Sequence, residues 1–323
     1  MEPLVSAIVV THNRLDFLKK AVDSVLNQTW TRQEVTVVDD GSTDGTREWM
    51  ESFAPEHGIT YVYVEGGLGG NHARNEGIRR ATGTYVALLD DDDEWLPEKT
   101  ARQVQYLEEH PDVGVVSCGK TNIFNLTRRS VEPTDILPEG DLSQKIFTDL
   151  HFTTSRLMFR RDLLVEAGMF DESLKAWQDY ELMIRLCQRT RVGVVRENLL
   201  LYNVLTADPA RITNRTAVWK KSVETIHQKH AALLEALPPD IRKEHMRIVC
   251  RDGLNRAERA RDLKTQKEFL WKAFRLDPTP RNLICWLQNK RNPKKPEWLA
   301  KLRFKAGAVK RKILDKFRVH HSE

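Results

Sequence analysis

Cysteine is scarce in this chain of 323 residues, and the four that occur lie far apart. They form no Cys-x-x-Cys pair, which is the spacing expected of a zinc site or a redox dithiol. We therefore expect reduced thiols without a bound metal, as in a cytoplasmic protein. The four residues are Cys118, Cys187, Cys250 and Cys285.

Long apolar runs are also missing. No uncharged apolar stretch reaches the roughly 18 residues of a membrane span, so we expect no transmembrane segment. The amino terminus carries Glu2 and Pro3 where a signal peptide would have a basic start, so we expect no signal peptide either. With 40% apolar and 30% charged residues, the composition is typical of a soluble globular protein. The length leaves room for one large domain and a smaller one.

Acidic residues are nearly absent from one stretch, residues 290–318. This stretch has twelve lysine or arginine residues against Glu297 and Asp315, a net charge of +10, whereas the whole chain has +5. The rest of the chain therefore carries −5 and is acidic. Within the basic stretch, apolar residues recur at nearly helical spacing: Trp298, Leu302, Val309, Ile313 and Phe317.

Two interpretations of this basic stretch stay open. A helix with an apolar stripe among cations can lie on an anionic membrane surface, such as the inner face of the cytoplasmic membrane. Alternatively, the helix packs its apolar face on the rest of the protein and its lysines are simply solvated. We do not expect nucleic acid as a partner, because the body of the chain is acidic and has no recognition motif.

Strand and helix patterns alternate four times before residue 110. Apolar strands are predicted at 4–10, 35–38, 59–64 and 85–89, and each is followed by a helical pattern. This order predicts an α/β fold with a mostly parallel sheet that helices cover on both faces. Ligands of such sheets bind beyond the carboxyl ends of the strands, where the polar clusters of this sequence fall.

The remainder of the chain has a different pattern. Residues 113–118 and 121–126 resemble a pair of strands, another strand is predicted at 155–160, and residues 192–204 could form two short strands. Asp208-Pro209 breaks the pattern, and the residues beyond it are helical. We therefore place a domain boundary near residue 206, between residues 1–205 and a helical region at 206–323.

One acidic run stands out at the end of the fourth strand. Tyr85 to Leu89 is apolar, and Asp90 to Glu94 follows as five consecutive acids. Carboxylates crowded at a strand end repel one another unless a cation lies among them. Hard oxygen ligands suit Mg²⁺ or Mn²⁺, and such ions are usually shared with substrate phosphates. A solvated acidic turn is the alternative, but the preceding strand holds these acids at the sheet edge and favours a metal site.

Three further polar segments are ambiguous by themselves. Asp39-Asp40-Gly41-Ser42 forms either a simple turn, with Ser42 or Thr43 capping the next helix, or a contact for a base or ribose. The glycine-rich loop at 66–71 is neither a dinucleotide fingerprint nor a P-loop. Asp179 opens a helix, where it could simply be an N-cap.

Together these segments resemble the enzymes of glycosyltransferase family 2, which have the GT-A fold. The matching segments are residues 5–14, 37–46, 73–78, 89–95 and 178–182 with Arg185, in the order and spacing of the family. The resemblance covers roughly residues 4–205. It implies a GT-A domain at 1–205, followed by a helical region that ends in a basic amphipathic segment.

The resemblance also implies an activity and a role for each matching residue. A sugar would pass, with inversion, from a nucleotide-sugar donor, usually UDP-linked, to a hydroxyl of a glycan or lipid-linked acceptor in surface polysaccharide synthesis. Asp92 would hold the Mg²⁺ or Mn²⁺ ion, and Asp179 would be the catalytic base. The donor would be bound by Thr11, His12, Asn13, Asp40, Arg74 and Asp91.

The chain departs from the family pattern at three places. Gln178 precedes the base where relatives often have Glu, and Asp91 stands in the middle of the acidic run where relatives often have a small residue. Tyr202-Asn203 replaces a common Tyr-Arg, and Arg211 is a candidate to supply the missing charge.

An alternative function is a nucleotide- or glycan-binding module without turnover. A nucleotidyltransferase is disfavoured, because residues 11–14 are not its glycine-rich basic loop.

Overall fold

A computed structural model describes residues 2–125, 127–134, 136–148, 152–204 and 216–289 of the chain. The chain divides into two compact units, Met1–Ile248 and Val249–Glu323. The predicted boundary near residue 206, the candidate Arg211 and the basic stretch 290–318 lie outside the described residues, and all three stay predictions.

The first four strands form a parallel half-sheet in the spatial order β3-β2-β1-β4. A helix follows each of the first three strands directly, and a short strand at residues 93–95 comes between the fourth strand and its helix. The strands are β1 (Val5–Thr11), β2 (Gln33–Asp39), β3 (Ile59–Tyr63) and β4 (Tyr85–Asp90), and the helices of this part are α1 (Leu15–Leu26), α2 (Thr46–Glu56), α3 (Gly70–Arg80) and α4 (Lys99–Glu109).

The middle of the chain extends this sheet with mainly antiparallel pairings. The order continues from β4 through β8, β6 and β9 to β5, and β7 pairs with β6. The strands are β5 (Asp93–Trp95), β6 (Val113–Phe124), β7 (Arg128–Val131), β8 (Met158–Arg160) and β9 (Arg191–Val204), and the helices are α5 (Arg161–Glu166) and α6 (Gln178–Cys187). The expected α/β fold is confirmed.

Two strand predictions in this region were wrong. Residues 113–124 form one long strand and not a pair, and residues 191–204 likewise form one strand. These two strands are parallel neighbours, with register shifts around Gly119. The predicted strand at 155–160 is shorter, because residues 154–156 form a 3₁₀ turn before β8.

The sheet is apolar on both faces because successive residues of a strand point to opposite sides. In β1, Ile8 and Val10 belong to one buried cluster, and Ala7 and Val9 belong to the other. Fully burying one such aliphatic side chain stabilises the fold by about 1.5–3 kcal/mol. The sheet is therefore a rigid platform for the polar residues at its edge.

After the last strand of the sheet, the described part of the chain is mainly helical. In the first unit, α7 (Thr216–Lys229) buries Trp219 completely, and Ile226 and Leu237 share the buried cluster of Ile184 in α6. The remaining helices are α8 (Ala231–Ala236), α9 (Pro239–Arg259), α10 (Leu263–Leu276) and α11 (Pro280–Gln288). No helix in the described ranges combines the length and apolar character needed to cross a membrane. The four cysteines are free and buried, in agreement with the expectation of reduced thiols.

Candidate active site

The polar segments predicted from the sequence lie in one row because the parallel strands are in register. Thr11 at the end of β1 is paired with Asp39 at the end of β2. On the other side of β1, Val10 is paired with Asp90 at the end of β4. The segments that follow these strands, residues 12–14, 40–44 and 91–92, therefore leave the sheet at the same edge.

The first three acids of the run each have a different environment. Asp90 forms an ion pair with Arg74 of α3. Asp91 is buried and accepts a hydrogen bond of 2.8 Å from the hydroxyl of Thr11. Asp92 accepts one of 2.8 Å from Arg14.

Asp93 is buried in strand β5, although the sequence predicted it among the acids that follow the fourth strand. Its carboxylate accepts a hydrogen bond of 3.1 Å from the backbone N–H of Asn203. Burial raises the pKa of Asp93 well above its usual value, and the neighbouring charges of Asp92 and Asp90 raise it further. Asp93 thus belongs to the sheet, and among the three preceding acids Asp90 and Asp92 are partly exposed whereas Asp91 is buried.

Asp91 shows how strongly the site resists further negative charge. Burial raises the pKa of Asp91 to about 7, and the adjacent charge of Asp92 acts in the same direction. The Arg14 guanidinium and the Thr11 hydroxyl oppose this shift. A site of this kind gains from added positive charge.

Three residues to which the sequence assigned no role hold the acidic turn in place. Asn203 donates from Nδ2 to the backbone oxygen of Asp92 over 2.7 Å. The Ser155 hydroxyl accepts a hydrogen bond from the backbone N–H of Asp90 over 3.2 Å. Arg14 is the third, through its contacts with Asp91 and Asp92. No local motif marks Asn203 or Ser155, because strand pairing brings them to the turn.

The candidate nucleotide residues after β1 form a connected group. His12 places Nδ1 2.7 Å from the backbone oxygen of Asp40. Asn13 has a left-handed backbone with φ 55°, and its N–H donates to the Ser42 hydroxyl over 2.8 Å. This contact corrects the predicted cap of α2: the Ser42 oxygen serves Asn13, and Asp44 accepts from Thr46 N–H at the start of that helix.

Asp40 ties the glycine-rich loop to this group. Its two carboxylate oxygens accept hydrogen bonds of 2.8 Å from the N–H groups of Leu68 and Gly69. Each oxygen keeps a second lone-pair direction with which a ligand can bond. The loop is further held by Lys175, which donates to the backbone oxygen of Leu68 over 3.2 Å.

Arg74 is a buried cation at the centre of the site. Besides Asp90, it contacts the ring of Phe170, with the guanidinium carbon 5.5 Å from the ring centroid. The Nε–H of Arg74 is buried and has no hydrogen-bond partner. A buried donor without an acceptor is costly, and an incoming anionic ligand would satisfy it.

Asp179 lies in the first turn of α6 but is not the N-cap residue considered from the sequence. The N-cap is Trp177, which has a left-handed backbone with φ 57°. Asp179 accepts a hydrogen bond of 2.8 Å from the N–H of Tyr180. Burial raises the pKa of Asp179, whereas the charge of Arg74 lowers it and that of Asp90 raises it. The segment that leads into α6 is bonded to α3, because Asn71 donates from Nδ2 to the backbone oxygen of Leu174 over 2.8 Å.

Behind Asp179, a buried carboxylate anchors the same helix. Glu181 is fully buried and contacts two cations, Arg185 at 2.7 Å and Lys229 at 2.9 Å, and the His230 ring at 3.0 Å. Burial alone would raise the pKa of Glu181, but the hydrogen bonds from His230 and Arg185 lower it to about 2. The network fastens α6, the helix that carries Asp179, to α7.

The site's ligand chemistry fits a hard divalent cation that is completed by substrate oxygens. Within the described ranges, no group of three or more His, Cys, Asp or Glu side chains has the geometry to hold a metal alone. Asp92 is the more accessible of the two acids that Arg14 contacts, with 27% of its side chain exposed against 8% for Asp91. Mg²⁺ and Mn²⁺ sites commonly use one or two carboxylates together with phosphate oxygens.

A family comparison supports the predicted resemblance. Residues 6–167 match the family described as "Glycosyl transferase family 2". An uncharacterized glycosyltransferase of Rickettsia typhi is 30% identical over 244 residues, which is 72% of this chain and 76% of that protein. The putative teichuronic acid biosynthesis glycosyltransferase TuaG of Bacillus subtilis is 40% identical over 109 residues, 33% of this chain and 43% of that protein. The chain thus covers less than half the length of TuaG.

Solved structures share the fold. TarS 1–349 of S. aureus in complex with UDP-GlcNAc superposes with a TM-score of 0.58 and 16% identity, over 90% of this chain and 93% of that one. The mannosyltransferase PcManGT of Pyrobaculum calidifontis, in complex with GDP-Man and Mn2+, gives a TM-score of 0.55 and 23% identity, over 90% and 84%.

Proposed function

The chain belongs to glycosyltransferase family 2, and from this premise we propose that it transfers a sugar, with inversion, from a UDP-linked donor to a hydroxyl of a glycan or lipid-linked acceptor. The observation that carries the proposal is that the segment leading into α6, the helix of Asp179, is bonded to the glycine-rich loop and to α3: Lys175 donates to the backbone oxygen of Leu68, and Asn71 donates to that of Leu174. These contacts support a candidate base near the sheet edge that also bears the acidic turn. Inverting transfer needs these two parts on opposite sides of one sugar ring.

We propose that the donor nucleotide binds to Thr11, His12, Asn13, Asp40, Arg74 and Asp91. The unpartnered Nε–H of Arg74 supports this assignment, because a buried donor needs an acceptor such as an anionic donor group. Nucleotide-sugar complexes of TarS and PcManGT are consistent with such a donor, with UDP-GlcNAc in the first and GDP-Man in the second.

We propose that Asp92 holds a Mg²⁺ or Mn²⁺ ion. When bound, the ion would neutralise charge that builds on the departing diphosphate. The chain's own contribution is to present an accessible carboxylate on a turn that Asn203 fixes through the backbone of Asp92. The Mn2+ complex of PcManGT supports a divalent ion in this fold.

Asp179 is our proposed base, which accepts the proton of the attacking acceptor hydroxyl. Because burial raises its pKa, Asp179 binds a proton more tightly than a solvated Asp does. The charge of Arg74 opposes this rise of the pKa. The Glu181 network holds the helix that carries the base.

The proposed setting is surface polysaccharide synthesis at the cytoplasmic face of a membrane. The name of TuaG refers to teichuronic acid biosynthesis, which supports a polysaccharide product. The basic stretch 290–318 would hold the enzyme on anionic lipid. A chain ending at Asn289 should then be retained less by anionic liposomes than the full chain, and equal retention would remove this role of the stretch.

A panel of nucleotide sugars, screened by thermal shift with and without Mn²⁺, tests the proposed donor. A ligand that binds the folded state raises the midpoint of unfolding, by mass action. We expect a shift with a UDP-sugar that is larger when Mn²⁺ is present. A shift with GDP-mannose alone would change the nucleotide assignment, and no shift with any donor would contradict the function.

A further inference from the structure

The second unit carries an exposed apolar surface that the proposed catalytic function does not use. Four large apolar side chains of α10 and α11 are exposed: Leu263 by 65%, Leu287 by 62%, Trp271 by 41% and Leu283 by 36%. Scattered single exposures are ordinary, but four within two adjoining helices mark an interaction surface. We define the α10–α11 seam as these four residues together with Trp286.

The seam is continuous along the two helices. Trp271 of α10 contacts Trp286 of α11, with 4.9 Å between ring centroids. At the far end of the pair, Asn289 Nδ2 donates to the backbone oxygen of Leu263 over 3.3 Å. The helices are therefore antiparallel neighbours, and Leu283 and Leu287 lie one helical turn apart beside Trp286.

The other face of α10 is already covered. Phe269 and Leu270 are buried, and Phe269 packs directly on Gly253 of α9, where a Cβ would come within 2.6 Å of the ring. Gly253 thus allows close packing of α9 and α10. The seam is therefore the exposed face of α10 and α11, and its exposure does not result from loose packing of the helices.

The surroundings of the seam are cationic. Lys264 and Lys267 are exposed on α10, and Lys267 places Nζ 5.6 Å from the ring centroid of Trp286, whereas Lys272 is paired with Glu268 at 2.8 Å. The sequence then continues from residue 290 with twelve lysine or arginine residues against two acids. Indole rings and leucines bordered by lysine are the combination that settles into the headgroup region of an anionic bilayer.

We propose that the α10–α11 seam docks on an anionic lipid surface, with Leu263, Trp271, Leu283, Trp286 and Leu287 entering the headgroup region and the lysines facing lipid phosphates. Charge complementarity selects lipid over a second copy of the chain, because two copies would bring the same lysines together. The seam and the basic stretch then act differently: the stretch attracts the surface at long range, and the seam supplies apolar burial.

Vesicle co-flotation of the full chain tests this proposal. The vesicles are phosphatidylcholine with or without phosphatidylglycerol, and the test variant carries both Leu263→Gln and Leu287→Gln. These side chains are exposed, so the variant should fold, which its unfolding midpoint verifies. We expect binding to the anionic vesicles and at least about tenfold weaker partitioning of the variant, since burying each leucine is worth roughly a tenfold change.

A matched control comes from strand β7, where Val131 is also 65% exposed. Val131→Gln should partition like the unaltered chain. Equal partitioning of the double variant and the unaltered chain would overturn the proposal, and so would an equal loss with Val131→Gln. A change of mass in solution without a change in the vesicle-bound fraction would assign the seam to a second copy instead. Because sugar donors are absent from this measurement, its outcome is independent of the catalytic proposal.

Discussion

Arg14 donates from Nη1 to Oδ2 of Asp92 over 2.8 Å, and the same nitrogen lies 3.4 Å from Oδ1 of Asp91. One guanidinium thus offsets part of the charge of these two carboxylates, whereas burial and then the charge of Asp92 raise the pKa of Asp91. The acidic turn is therefore already partly balanced by a residue of the chain itself.

We predict that Arg14→Ala lowers the free energy of unfolding by about 1–2 kcal/mol without divalent ion, because it leaves buried Asp91 without its counter-charge. Mn²⁺ should restore more stability to the variant than to the unaltered chain, because the ion replaces the lost charge. Denaturant unfolding with and without Mn²⁺ measures both effects.

The control for Arg14 is Arg47→Ala, which removes an exposed ion pair with Glu51. This substitution should change little, since both side chains are solvated. If Arg14→Ala were as harmless as Arg47→Ala, Arg14 would not be the counter-ion of the acidic turn.

The buried Glu181 network makes a prediction about stability. Glu181→Gln should lower the free energy of unfolding by about 3 kcal/mol near neutral pH, since it removes the charge that compensates Arg185 and Lys229. The pKa of Glu181 is lowered to about 2. Its stabilisation is therefore complete above the unfolded value of 4.5 and is lost as the pH falls toward 2.

Denaturant unfolding at neutral and at acidic pH measures this dependence. The gap between the unaltered chain and Glu181→Gln should shrink as the pH falls below the unfolded value. Glu76→Gln is the control, because Glu76 pairs with Arg79 and Arg80 on a helix surface and should contribute much less. A gap that stays constant with pH would rule out the ionised network as its source.

Substitutions of the neighbouring acids Asp92 and Asp93 should have different effects on Mn²⁺-dependent donor binding. Asp92→Ala should abolish the Mn²⁺-dependent part of donor binding. Asp93→Asn should preserve it, because Asp93 is buried and bonded to the backbone of Asn203. Titration calorimetry with UDP-sugar, with and without Mn²⁺, compares the two, and the reverse pattern would move the metal assignment to Asp93.

The pH dependence of turnover follows from Asp179. Burial raises its pKa above the ordinary 3.8, and only the ionised form can accept a proton. With saturating donor, the rate should therefore fall as the pH drops through this raised value. Arg74 lowers the pKa of Asp179, so Arg74→Gln should move the acidic limb to higher pH, whereas Arg74→Lys keeps the charge and should move it less. If the acidic limb did not move in Arg74→Gln, the charge of Arg74 would not influence the pKa of Asp179.

The parallel half of the fold could be predicted from the sequence because each strand is an apolar run that ends in polar residues. Gly119 shows why the other half could not. Between two strand-like segments, a glycine suggests a turn. In the structure Gly119 lies inside β6, where a Cβ would overlap the side chain of Asn198 on β9. The glycine serves a close approach between strands, which only the tertiary structure reveals.

The candidate site, like the fold, could be predicted from the sequence only in part. Motif spacing pointed to Asp40, Asp91 and Asp92, which follow strands that end at one sheet edge, and to Asp179 in α6; the roles of all four stay proposals. Asn203 was noted only as a departure from the family pattern, because its contact with Asp92 depends on the pairing of β5 with β9. Short strands such as β5 give no periodic signal, so neither this pairing nor the burial of Asp93 could be predicted.

The central claim is that Asp179 removes a proton in a cleft where the donor is bound by other residues. Single-turnover transfer by Asp179→Asn, with donor affinity measured on the same sample, tests it most directly. We predict that the rate falls by at least about 10²-fold, while the donor dissociation constant changes by less than about twofold, because the charge removed does not hold the nucleotide. A rate close to that of the unaltered enzyme would contradict the account.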